Sequence, residues 1–132
     1  MTREIVLYVS TGYGYVRERN YSAEELLVRL ENSAKVFGLE VVGCFHDHMR
    51  WKNRHNPELD RENLKAALQL ASDRGAGIMI SDIKRVGPDK PEIDKWLCTA
   101  REMGVVIWIE SGQVYDALTV AKFLGEEARE IE

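Results

Sequence analysis

Four short, unbroken apolar runs alternate with stretches of helical spacing along this chain, and that alternation decides its fold class. The runs cover residues 5–9, 39–45, 77–81 and 105–109, and are rich in Val and Ile. Their apolar residues are consecutive rather than alternating, as expected of strands buried on both faces in a parallel sheet. Between them, Ser22-Ala23-Glu24-Glu25 forms a capping box that opens a helix running to about Phe37 and closing at Gly38. Pro57 and Asp60 prepare a second helix, which carries Leu64, Ala67, Leu68 and Ala71 on one face and ends at Gly75. Pro91 starts a third through Ile93, Trp96, Leu97 and Ala100, closed by Gly104, and an amphipathic helix spans about residues 115–130. The expected architecture is a three-layer α/β domain with a mainly parallel four-stranded sheet, flanked by helices and finished by a C-terminal helix.

At 132 residues one hydrophobic core suffices, and no internal repeat or linker divides the chain, so residues 1–132 read as a single domain. No apolar run approaches the roughly 18–20 residues of a membrane span. The N-terminus turns directly into a strand-like run, so no signal peptide is expected. Cys44 and Cys98 sit in apolar segments and read as small buried hydrophobes in a reducing compartment, so the expected location is cytoplasmic.

The formal net charge of −4 does not advertise a nucleic-acid binder, but its distribution does something different. Arg50, Lys52, Arg54 and Arg61 cluster with all three histidines and Trp51 between His46 and Arg61, whereas the tail after Gly125 is acidic. His46, Asp47, His48 and His55 raise the question of a metal. His46 and His48, two apart, could share a face, but no cysteine or helix-borne ligand supplements them, so the expectation is no metal.

In open parallel sheets the ligand site lies outside the carboxyl ends of the strands. Ser10, Asp47, Asp82 with Lys84 and Arg85, and Glu110 fall there. A serine, arginines and a few acids suit phosphate chemistry better than metal or hydride chemistry.

These landmarks together resemble the catalytic domain of the serine recombinases, the resolvase/invertase family. Tyr8-Val9-Ser10-Thr11 is similar to that family's first strand and its nucleophile segment. Phe45-His46-Asp47 fits its strand-terminal aspartate, and Asp60-Arg61-Glu62-Asn63-Leu64 its next helix start. Ile83-Lys84-Arg85-Val86-Gly87-Pro88 resembles the loop after its third strand. Arg101-Glu102-Met103-Gly104-Val105, running on to Gly112, is similar to the passage before its long dimerisation helix. The resemblance implies a resolvase-like fold and a DNA transesterification, in which serine forms a 5′-phosphoserine link and frees a 3′-hydroxyl without an added cofactor. Ser10 would be the nucleophile, Arg61 and Arg85 would clamp the scissile phosphate, and Asp47 would orient an arginine or position the active-site loop. Arg50, Lys52, Arg54 and Lys84 would contact DNA phosphates.

Three positions depart from the family. Tyr8 stands where it prefers arginine, Lys84 replaces its aspartate, and Pro88 its second arginine; Arg17, Arg19, Arg50 and Lys84 are the cations that could substitute. The implied partners are DNA, bound weakly without a separate DNA-binding region, and further copies of the chain, as dimer or tetramer, through the C-terminal helix. Leu118, Ala121, Phe123, Leu124 and Ala128 make that helix more apolar than solvation requires. The competing readings are a catalytically impaired resolvase-like dimerisation or regulatory module, and an unrelated parallel α/β protein that binds a nucleotide or acts as a receiver.

Overall fold

The structure is a computed structural model and describes residues 3–12, 22–87 and 89–125. The elements follow in the order β1 (Arg3–Gly12), α1 (Ala23–Val36), β2 (Leu39–Met49), α2 (Glu62–Arg74), β3 (Gly77–Ile80), α3 (Lys90–Glu102), β4 (Ile107–Ile109), β5 (Val114–Tyr115) and α4 (Ala117–Leu124). Single 3-10 turns at Trp51–Asn53, Pro57–Asp60 and Ile83–Val86 fill the connections. The sheet order is β2-β1-β3-β4-β5, with parallel pairing throughout except between β4 and β5.

The alternation along β1 separates two cores. Ile5, Leu7 and Val9 point toward α1 and pack with Leu26, Leu30, Ala34 and Met79. Val6 and Tyr8 point the other way, into a larger core with Ile78 and Ile80 of β3 and with Leu64, Leu68, Trp96, Leu97 and Val120 from the helices. Helices therefore cover both faces, the three-layer arrangement expected from the unbroken apolar runs. The chain moves from β1 outward to β2 and then crosses back to β3, so the order reverses on either side of β1. That reversal leaves a crevice at the carboxyl ends of β1 and β3.

Helix ends follow local chemistry. Ser22 Oγ accepts from the Glu25 amide at 3.1 Å, and Gly75 closes α2 in the left-handed region at φ +64°. Ser22→Ala removes the acceptor for one free amide and is expected to lower stability by about 1 kcal/mol. A urea midpoint unchanged from wild type would show that α1 does not depend on its cap.

Four details correct the sequence reading. A fifth strand, the antiparallel two-residue β5, joins the sheet because Gly112, at φ +105°, reverses the chain after β4. Tyr115 therefore belongs to a strand. Helix α4 starts only at Ala117, where Asp116 accepts from the Thr119 amide at 2.9 Å. It ends at Leu124 because Gly125 turns left-handed at φ +78°; residues 126–132, with Ala128, lie outside those described. Strand β2 runs on to Met49, since Asp47 and Met49 are buried on one face while His48 stays exposed, a period of two that an edge strand sustains. Cys44 is exposed, because an apolar-looking run on the edge strand β2 need not be covered on both faces, and Cys98 on α3 is half-buried. Among the described residues no helix is long and apolar enough to cross a membrane.

Candidate active site at the carboxyl edge of the sheet

Strand periodicity puts Tyr8 and Ser10 on the same face of β1, and parallel pairing sets Ser10 beside Asp47 of β2. Arg61 arrives immediately before α2, and Arg85 from the 3-10 turn that follows β3. All four residues singled out as catalytic, Ser10, Asp47, Arg61 and Arg85, are buried polar groups, at 0%, 5%, 0% and 2% exposure. Burial on this scale demands hydrogen-bond partners; Ser10, Arg61 and Arg85 bond to one another, and Asp47 joins them through Tyr8.

Ser10 Oγ donates to the Arg85 carbonyl at 2.8 Å, and Arg85 Nη1 returns a bond to the Ser10 carbonyl at 2.7 Å. Arg61 Nη1 donates to the same Arg85 carbonyl and to Tyr8 Oη, each at 2.9 Å. Tyr8 Oη in turn donates to Asp47 Oδ2 at 2.8 Å. Asp47 also accepts the Asn63 amide on Oδ1 at 3.0 Å and the Leu64 amide on Oδ2 at 2.8 Å. A carboxylate from β2 thus caps the first turn of α2 from outside the helix, where free amides and the helix dipole favour negative charge. The Arg85 guanidinium is held further by Nε to Ser81 Oγ at 3.1 Å.

Tyr8 is the member that sequence reasoning missed as a site residue. Burial, foremost, pushes its phenol well above the usual range; the Arg61 guanidinium opposes that shift and the Asp47 carboxylate adds to it. The hydroxyl therefore keeps its proton, which it gives to Asp47 while accepting from Arg61. Its position two residues before Ser10, on the same strand face, was the signal that could have revealed it. Asn63 was also missed; its side chain donates to the His46 carbonyl at 2.7 Å and ties the start of α2 to β2.

The residues expected to meet DNA phosphates do not join this network. Arg50, Lys52 and Arg54 are exposed on the turn after β2, and Lys84 is exposed on the turn after β3. Arg50 and Lys52 help line an open polar cleft of about 410 Å³ with His46, Asp47, His48, Asp60 and Asn63. Asp82 caps its own turn by accepting from the Lys84 amide at 3.0 Å, and Glu110 pairs with Arg29 of α1 at 2.8 Å. Pro88, Arg17 and Arg19 lie outside the described residues.

His46 and His48 do share a face, meeting at Thr11 Oγ1 through Nε2 at 2.7 Å and Nδ1 at 3.1 Å. One hydroxyl proton cannot serve two acceptors, so at least one of the two imidazoles donates to Thr11 Oγ1. Partial burial, aided by His48 and opposed by Asp47, holds His46 below the usual histidine range. Among the described residues no three histidine, cysteine or carboxylate side chains converge as a metal site would require. Just beyond Thr11, Gly12 sits at φ +92° with no room for a Cβ, which would collide with the Met49 carbonyl.

No protein-family model matches the sequence, and no curated protein matches it. Solved structures do. The N-terminal catalytic domain of TP901-1 integrase superposes with a TM-score of 0.66 at 12% identity, covering 98% of this chain and 99% of that one. A resolvase family site-specific recombinase from Streptococcus pneumoniae gives 0.65 at 18%, covering 98% and 89%. The C-terminal catalytic domain of ISC1926 TnpA, an IS607-like serine recombinase, gives 0.58 at 18%, covering 92% and 77%. The chain has the fold of these catalytic domains, as the order of its sequence landmarks implied.

Proposed function

We propose that this chain is the catalytic domain of a site-specific serine recombinase, cutting and rejoining DNA through Ser10. The observation that carries the reading is the single hydrogen-bonded cluster of Ser10, Arg61, Arg85 and Asp47 at the crevice beside β1. Those four positions are the ones the family resemblance implies, and they lie on four different segments of the fold.

In the proposed step Ser10 Oγ attacks phosphorus and loses its proton. The P–O3′ bond breaks, the released 3′-oxygen is protonated, and a 5′-phosphoserine link remains. Rejoining reverses these events, so the reaction needs no net energy input. Guanidiniums suit it because each offers fixed, permanently charged donors to the phosphoryl oxygens as charge builds there. The present arrangement is closed. Ser10 Oγ is spent on the Arg85 carbonyl, which cannot serve as a base, so attack requires that bond to break and the hydroxyl to turn toward an incoming phosphate. Arg50, Lys52, Arg54 and Lys84 would guide the backbone, with a strong dependence on salt. Helix α4 would bring copies of the chain together, and its exposed Leu118 and Phe123, at 61% and 36%, favour that role.

The test is covalent trapping. The protein is incubated with nicked duplex fragments of the genome that encodes it, with an active serine recombinase as control. The samples are then read by intact mass and denaturing gel. A species carrying the mass of one DNA strand is the expected result. Its absence, with the control working and a DNA-binding region fused to restore affinity, would overturn the catalytic reading and leave a resolvase-like dimerisation module.

A further inference from the structure

The turn after β2 carries a feature that the buried cluster does not use. Trp51 is 61% exposed, although tryptophan is among the side chains that gain most from burial. The Arg54 guanidinium lies 4.2 Å from the indole centroid, and Arg54 Nη1 donates to the Trp51 carbonyl at 3.0 Å. Arg50 and Lys52 flank the indole in sequence and are exposed too. No carboxylate among the described residues forms an ion pair with the side chain of Arg50, Lys52 or Arg54. Two nearby acids are engaged elsewhere. Asp60 accepts from the Arg50 amide and from Asn53 Nδ2, each at 2.8 Å, and Glu58 pairs with Lys65 at 3.3 Å and Lys95 at 2.8 Å.

The two bonds to Asp60 brace the turn that carries the indole, which lowers the ordering cost of binding there. The connection from β2 to α2 that carries this turn ends at Arg61, inside the buried cluster, and its Arg50, Lys52 and Asp60 border the polar cleft beside Asp47. A flat aromatic ring between cations, on the connection that leads into the proposed phosphodiester site, has the chemistry of a stacking platform for a nucleobase.

From this arrangement we infer that Trp51, backed by Arg54, stacks on an unpaired DNA base beside the site of strand cleavage. The partner must be unpaired or terminal, because in an intact duplex both faces of each base are covered by its neighbours. Arg50 and Lys52 would hold the adjoining phosphates. The inference deepens the DNA-directed reading above and rests on it.

Binding is measured with a fluorescein-labelled 20-nucleotide single strand, the matching blunt duplex and a duplex with a short single-stranded gap, at two salt concentrations. Wild type is expected to prefer the single strand and gapped duplex to the blunt duplex. Trp51→Ala is expected to lose roughly tenfold in affinity for the first two, as for loss of one base–aromatic stack, with its salt slope unchanged. Trp51→Phe should recover most of that loss. Lys52→Gln should instead reduce the salt slope by about one unit and weaken all three probes alike. Circular dichroism and sedimentation run beside each variant, which is expected to stay folded because the altered side chains are exposed.

Wild-type affinity for the single strand retained in Trp51→Ala would overturn the inference. So would a change in that variant's oligomeric state with DNA affinity intact, which would assign the indole to a protein interface, or failure of wild type to bind any probe. The covalent-trapping experiment is scored separately. Trp51-dependent binding without an adduct would remove the catalytic reading and keep the platform, whereas an adduct with no Trp51 dependence would do the reverse.

Discussion

Ser10→Ala is expected to abolish the DNA-linked species completely while leaving the domain folded and within about 1 kcal/mol of wild-type stability. The two halves of that result have different causes. Chemistry is lost outright, because an alanine methyl cannot attack phosphorus and no lesser version of the step survives. Stability is nearly kept, because the Arg85 carbonyl that accepts from Ser10 Oγ at 2.8 Å also accepts from Arg61 Nη1 at 2.9 Å. Removing the hydroxyl therefore leaves no buried acceptor without a partner, and the change is one oxygen in a fully buried position. Trapping assays and urea denaturation on the same preparation read both halves. A persistent adduct would move the nucleophile to another hydroxyl. A stability loss above about 3 kcal/mol would make Ser10 a structural residue whose place in the cluster says little about reactivity.

The sequence exposed this cluster unevenly, for physical reasons. Ser10, Asp47 and Arg85 were legible as strand-end positions, which the topology sends to one edge of the sheet, and Arg61 only through the family resemblance. Tyr8 was read only as an absence of arginine. Its role depends on Arg61 and Asp47, 53 and 39 residues away in sequence, converging on one hydroxyl. No local pattern encodes that. The boundary of β2 was missed for a related reason: His46-Asp47-His48 looks like a polar loop, yet the strand persists because Asp47 turns inward to cap α2. Strand β5 was invisible because two residues carry no periodicity, and only the turn at Gly112 creates it. The burial of Ser10 and both arginines also lay beyond sequence reasoning, which places charged groups near a surface by default.

Asp47→Ala should be the most destabilising single change in the cluster, at about 3–5 kcal/mol. The carboxylate accepts from the Asn63 and Leu64 amides and from Tyr8 Oη, so its removal strands two helix amides and a buried phenol at once. It also removes the negative charge that stands, through Tyr8, against the fully buried Arg61. Against a total stability of roughly 5–15 kcal/mol for a domain of this kind, such a loss leaves a marginal protein. Asp47→Asn is expected to fall between alanine and wild type: its single oxygen can serve either Asn63 or the Leu64–Tyr8 pair, and its NH2 group must then face a donor. Tyr8→Phe is the informative control. After it, Asp47 Oδ2 keeps the Leu64 amide and Arg61 Nη1 keeps the Arg85 carbonyl, so the cost should be only about 1 kcal/mol. The double variant Asp47→Ala, Tyr8→Phe should be less destabilised than the sum of its parts, because the phenol orphaned by alanine is no longer there. Strict additivity of the two changes, measured from urea midpoints with a common slope, would mean that the Asp47–Tyr8–Arg61 chain is not the unit that organises this edge of the sheet. An Asp47→Ala cost near 1 kcal/mol would show that water reaches the start of α2 and replaces the carboxylate there.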